Sequence, residues 1–189
     1  MNDKRIIYTV GHSNHTAKEF LEILRAFGIQ KLIDVRTIPR SRHNPQFNQA
    51  RLKAYLKKAG ITYLHIKDLG GLRHASKDSP NRAWTNLSFR GYADYMQTEE
   101  FQAGLARLLK STPKKATAIM CAEAVPWRCH RSLIGDALLV RGVAVEDIYS
   151  KSSSKPHTLT PWAKVRGQKI TYPAAERATN GSPPMRRNP

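Results

Sequence analysis

Residues 116–149, ATAIMCAEAVPWRCHRSLIGDALLVRGVAVEDIY, decide the fold. ATAIMC at 116–121 is a short apolar run of strand length, apolar on both faces. A loop containing Pro126 and Trp127 then opens a helix, CHRSLIGDALLVRG, and VAVEDIY follows as a second strand. A strand, a helix and another strand at this spacing read as a parallel crossover, because parallel strands cannot be joined by a tight turn.

The same alternation continues upstream. IIYTV at 6–10 ends in Gly11 as a buried strand. Thr16, with Glu19 three residues on, signals a helix start, and Phe20, Leu21, Ile23, Leu24 and Phe27 line one face until Gly28 stops it. LIDV at 32–35 is the next strand, a Pro- and Arg-rich loop runs to about Phe47, and ARLKAYLKKAG is a helix stopped by Gly60. ITYLHI at 61–66 is a third strand. DLGGLRHASKDSPNRAWTN at 68–86 is too long and polar for a plain connection and reads as a lid or binding loop. Helical stretches are expected over about 89–97 and 99–110.

The pattern predicts a three-layer α/β fold: a mainly parallel sheet of about five strands with helices on both faces. Strand order does not follow from the pattern. PHTLTPWAKVRGQKITYP at 156–173 suits a C-terminal β-hairpin with Arg166 and Gly167 near its turn. Residues 1–173 read as a single α/β domain that includes this extension, and 174–189 as a basic, Pro-rich tail expected to be disordered.

Lys and Arg number 32 against 14 Asp and Glu, a net charge of +18. The excess is not confined to the tail: residues 1–150 hold 24 basic and 13 acidic side chains, and 151–189 hold 8 and 1. Such a balance points to an anionic ligand or a nucleic acid, although a solvated basic surface accounts for it equally well. No apolar run reaches the ~20 residues of a membrane span. With only Cys121 and Cys129, a reducing, cytoplasmic setting without membrane or structural disulfide is expected.

In open parallel sheets ligands gather beyond the carboxyl ends of the strands. Here those ends carry Gly11, His12 and Ser13, then Asp34 and Arg36 followed by Arg40, Ser41 and Arg42, then Cys121 and Glu123. A helix opening near Cys129-His130-Arg131 presents free N–H groups that favour anions and lower a thiol pKa, so Cys129 is a candidate thiolate with His130 and Arg131 in support. Cys121 is more readily a buried strand residue of the core. Arg36, Arg40, Arg42 and Arg131, with Ser13 and Ser41, suit recognition of phosphate or carboxylate. Asp34 and Arg36 share one side of their strand and either pair with each other or serve the site. His12 either moves a proton or bonds the next turn. Gly70 and Gly71 allow the backbone close to a ligand. Aromatic residues flanking the long loop, among them Tyr63 and Trp84, either pack or stack on a base. Cys121, Cys129, His130, His12 and Glu123 include metal-ligand types, but the spacing lacks the repeated close pairs of zinc sites, and no metal ligand is assigned. A glycine-rich cradle ending in Lys-Ser or Lys-Thr is absent. No cofactor is identified.

TVGHSNH, LIDVRTIPRSRHNPQFN, ITYLHIKDLGGLR, IMCAEAVPWRCHR and PHTLTPWAKV, in that order, resemble the family known as domain of unknown function 488. The resemblance covers most of residues 6–173 and implies an α/β domain with an active-site cleft. It implies as motif positions Gly11, His12 and Ser13; Asp34, Arg36, Pro39, Ser41 and Arg42; Leu69, Gly70 and Gly71; and Cys121, Glu123, Cys129, His130 and Arg131. It implies no particular activity.

The expectation that joins these readings is an enzyme acting on a phosphorylated, nucleotide-like or nucleic-acid substrate. Arg36, Arg42 and Arg131 would hold the anion, Cys129 or Cys121 would be the nucleophile, and His130, His12 or Glu123 would carry the proton. A non-catalytic nucleic-acid-binding protein and a metal-dependent enzyme are the alternatives.

Overall fold

The computed structural model describes residues 6–112 and 115–175. Five strands are parallel: β1 (Ile6–Gly11), β2 (Lys31–Asp34), β3 (Thr62–His65), β4 (Thr117–Cys121) and β5 (Ala144–Ser150). A sixth, β6 (Ser153–Pro156), runs antiparallel to β5 at the edge, giving the order β3-β2-β4-β1-β5-β6. The sequence reading did not anticipate β6: SSKP has little strand propensity, and pairing with β5 defines it.

Period-two alternation in the central strands builds a core on each face. Leu32, Ala118 and Met120 face one side with Val10, against Phe20 and Leu24 of α1 (Ala17–Ala26) and Leu52 and Leu56 of α2 (Gln49–Lys58). Ile33, Ile119 and Ile7 face the other. They pack against Tyr92 of α3 (Leu87–Tyr95), Phe101 and Leu105 of α4 (Glu99–Ser111), and Leu133 and Leu138 of α5 (Arg131–Leu139). Each leucine, isoleucine, valine, methionine or phenylalanine among them contributes about 1.5–3 kcal/mol when fully buried. The expected Thr16–Glu19 capping box starts α1, and Gly28 follows the helix at φ +61°.

The hairpin forms as β7 (Lys164–Arg166) and β8 (Lys169–Thr171) about Gly167 at φ +60°. It is tied to the second face by Ile170 and Tyr172. The tail expectation for 176–189 lies outside the described residues. Among the described residues no helix is long and apolar enough to cross a membrane.

The order fixes where a site can form. After β1 the chain crosses to β2 over the α1 face, whereas after β4 it crosses to β5 over the α5 face. Since β1 and β4 are neighbours, their connections part at the carboxyl ends and open a crevice there.

Candidate functional site

The backbone holds the rim of that crevice closely. Gly11 lies opposite Cys121, and past the strand ends the His12 N–H donates to Cys121 O and the Ser13 N–H to Ala122 O, both at 2.9 Å. A Cβ on Gly11 would sit 1.8 Å from Glu123 O, so the approach of the two chains requires glycine. The Val35 N–H donates to Met120 O and brings the end of β2 to the same rim.

Asp34 and Arg36 form the first cluster. Arg36 Nε donates to Asp34 Oδ1 at 2.9 Å and Nη2 to Oδ2 at 2.6 Å, with Tyr63 Oη adding a hydrogen bond at 2.7 Å. Arg36 Nη2 also donates to Phe47 O, and Nη1 to His12 Nε2 at 3.2 Å. Of the two sequence readings, the ion pair is the arrangement present: both residues are buried and their hydrogen-bonding capacity is engaged. His12 stacks on Phe47 and donates from Nδ1 to Ser13 O. Burial, reinforced by Arg36, lowers its pKa to about 4, so at neutral pH it is an uncharged part of the frame.

Cys121, Cys129, His130 and Arg131 form the second. A short 3-10 turn, Pro126–Arg128, delivers Cys129 and His130 to the start of α5. The two Sγ atoms and His130 Nδ1 all lie within 4.8 Å of one another, with Nδ1 4.0 Å from Cys121 and 3.7 Å from Cys129. His130 Nε2 donates to Val35 O at 3.0 Å, which fixes the ring with Nδ1 turned toward the sulfurs. Gly71 packs against the imidazole, where a Cβ would come within 3.0 Å of Nδ1.

Arg131 is 0% exposed, yet among the described residues no carboxylate pairs with it. Its Nε donates to Cys129 Sγ at 3.4 Å, one terminal nitrogen donates to Glu123 O at 2.5 Å, and Nη1 has no partner among the described residues. An isolated buried cation is costly, and the anion that this geometry offers it is the Cys129 thiolate. The hydrogen bond from Cys121 lowers the Cys129 pKa well below the ordinary thiol range; burial opposes this, and His130 and Arg131 add to it. The same bond, with burial, raises that of Cys121.

Other expected members stand apart. Glu123 is two residues past Cys121, but β4 ends at Cys121, so alternation no longer governs it and its side chain is exposed. Arg40 and Arg42 are exposed and line a separate hollow with Ser41, so the expected guanidinium group beside Arg36 is divided by Arg36 turning inward to Asp34. Ser13 is half-buried, and its side chain donates to its neighbour Asn14.

Two features are assembled by tertiary packing, and of the tryptophans and the histidine that define them only Trp84 stood out in the sequence, among the aromatics flanking the long loop. Trp84, Trp127 and Trp162, from three separate loops, wall two hollows of about 470 and 450 Å³ beside the loop joining the cysteines, with Lys155 and Ser132 in one and Glu123 and Arg128 in the other. Trp127 is 61% and Trp162 43% exposed. His157 and Asp147 line the first hollow, and His157 bridges Asp136 at 3.2 Å and Asp147 at 2.9 Å. Burial opposes its protonation, but the two carboxylates outweigh burial and raise its pKa to about 9.

The family described as "Domain of unknown function DUF488" matches residues 16–138, which contain the whole cysteine cluster and the Asp34–Arg36 pair. No curated protein and no solved structure matches the chain.

Proposed function

The chain belongs to that family, a membership that assigns no chemistry, and from the rim geometry we propose that it is an enzyme acting on a phosphorylated, nucleotide-like substrate, with the Cys129 thiolate at its reacting centre. The observation that carries this reading is Arg131, a fully buried guanidinium whose charged neighbour is a thiol sulfur. A protein that needed only packing there would bury an apolar side chain, at no electrostatic cost.

The surroundings favour the substrate class. Both tryptophan-lined hollows have the size of small-molecule sites, which run from about 300 to 1,000 Å³. Exposed indoles stack on nucleobases at roughly 1–3 kcal/mol per base. Lys155 and Arg128, at the same hollows, would meet phosphate, and Glu123 is the carboxylate placed to exchange a proton with solvent. Cys129 is 3% exposed, so substrate would reach it past the Gly70–Leu72 segment that covers His130.

The test is turnover of nucleoside mono-, di- and triphosphates and short single-stranded oligonucleotides, followed by mass spectrometry of the products. Cys129→Ser should lower the rate at least 100-fold (about 2.7 kcal/mol). Equal rates for the variant and the parent would overturn the assignment of the centre.

The second reading is a non-catalytic nucleic-acid-binding protein, favoured by the net charge of +18 and by Arg40 and Arg42, which are exposed and line one hollow together. It requires affinity for oligonucleotides that falls steeply with salt and is indifferent to Cys129→Ser.

A further inference from the structure

Cys121, Cys129 and His130 are brought together more closely than a lone reactive thiol requires. Two buried sulfurs and one imidazole nitrogen face a common point. With bonds of about 2.3 Å to sulfur and 2.05 Å to nitrogen, the edges of a tetrahedral zinc site are about 3.6 Å between sulfur and nitrogen. The observed 4.0 and 3.7 Å lie within a few tenths of an ångström of that figure. We infer that these three residues hold a borderline-soft divalent cation of the zinc class, leaving one tetrahedral position for an anionic oxygen ligand.

The outer contacts have the form such a site uses. Histidines that bind metal through one nitrogen nearly always donate the other N–H to a carbonyl or carboxylate, which fixes the ring and keeps the ligating lone pair free. His130 does this toward Val35 O, and the Tyr92 ring lies 4.9 Å from the imidazole on the α3 side. Arg131 Nε donates to the Cys129 sulfur, the contact that tempers thiolate charge at a metal. The ligands come from β4 and from the residues just before α5, both anchored in the core, so their spacing is held by rigid elements. His12 and Glu123, the other ligand types at this rim, are not part of the group: His12 is bonded to Arg36 and Ser13, and the Glu123 side chain is exposed.

Charge sets the character of the fourth ligand. Two thiolates neutralise a dication, and Arg131 then leaves one positive charge in a buried setting, so hydroxide or a phosphate oxygen is favoured over a neutral ligand. Three protein ligands with one position open is the arrangement of catalytic rather than structural zinc. The inference rests on the reading that this rim is the reacting centre and changes what the thiolate does there: its lone pair goes to the cation, and substrate oxygen binds at the remaining position.

The experiment uses the full chain purified without an affinity tag or chelator, under reducing conditions. About one equivalent of zinc per chain is expected by elemental analysis. After removal of that metal, Co²⁺ should give a near-ultraviolet thiolate-to-cobalt charge-transfer band and visible bands of tetrahedral intensity. Cys121→Ser and His130→Ala should each weaken cobalt binding at least tenfold. The wild-type spectrum needs no variant to fold. Less than about a tenth of an equivalent of metal, with no charge-transfer band on the reduced protein, overturns the inference. If turnover depends on Cys129 without metal, the metal site falls and the thiolate reading stands; if cobalt binds as described but no substrate turns over, the reverse holds.

Discussion

Arg36 and Arg131 are both buried at the carboxyl rim of the sheet, yet the protein treats them differently. Arg36 is enclosed by Asp34 on two nitrogens, by Phe47 O and by His12. Arg131 has a thiol sulfur, one carbonyl and a terminal nitrogen without a partner among the described residues. Arg36 is compensated by the kind of ion pair that holds folds in register, and it fixes the loop after β2. The charge of Arg131 instead acts on sulfur, and a group left partly unsatisfied in a core is the form in which a fold keeps a capacity to interact.

The largest expected effect falls on the structural arginine. Asp34→Ala strips Arg36 of its carboxylate and Tyr63 of its acceptor, and should cost about 3–5 kcal/mol in urea unfolding. A loss below about 1 kcal/mol would mean that Arg36 finds water or another partner, and the contrast between the two arginines would weaken.

His157 supplies a fully compensated buried cation at the first tryptophan hollow, and it can be read by pH. Its folded pKa of about 9 stands above the ordinary 6.5, so the folded state binds the proton more tightly than the unfolded chain does. The associated stability is complete below about pH 6.5 and is lost as pH rises through about 9, in total about 3 kcal/mol. Chemical unfolding measured across that interval should show the decline, and His157→Gln should remove the pH dependence while lowering stability at pH 6. A parent protein with flat stability from pH 6.5 to 9 would contradict the bridge between Asp136 and Asp147.

A smaller effect tests Arg131 directly. In metal-stripped protein Cys129→Ala leaves the guanidinium without its anion, and adding Arg131→Met should recover part of the loss. The coupling between the two sites should be about 1–3 kcal/mol in a double-mutant cycle. Additive losses would show that Arg131 does not depend on the thiolate.

Much of this arrangement was legible in the sequence. Short apolar runs alternating with helical periods specify a parallel sheet, and the carboxyl-end rule then places residues as distant as Gly11, Asp34 and Cys121 on one rim. Side-chain direction beyond the strand ends was not legible. Glu123 reads as a partner of Cys121 only if β4 continues, and Arg36, Arg40 and Arg42 read as one group although a single carboxylate turns the first of them inward. The His157 bridge spans α5, β5 and the segment before the hairpin, and the tryptophan hollows assemble from three loops. Neither has a local pattern, because tertiary packing alone sets both.

The smallest effect concerns strain beside the site. Among the described residues, the non-glycine residues with positive φ are Ser13 at 46° and Leu72 at 59°. Ser13 follows His12 at the end of β1, and Leu72 follows Gly71 over the His130 ring, so both flank the same rim. For leucine this conformation is sterically unfavourable by roughly 1–3 kcal/mol, and its side chain is 76% exposed, so little packing offsets the cost. Leu72→Gly relieves the strain but adds roughly 0.5–1 kcal/mol of unfolded-chain entropy, leaving a net stabilisation of about 1 kcal/mol. Thermal unfolding should show a midpoint a few degrees higher. A lower midpoint would mean that the exposed leucine makes contacts that hold the cover down, and its replacement would then open the path to Cys129 instead of relaxing it.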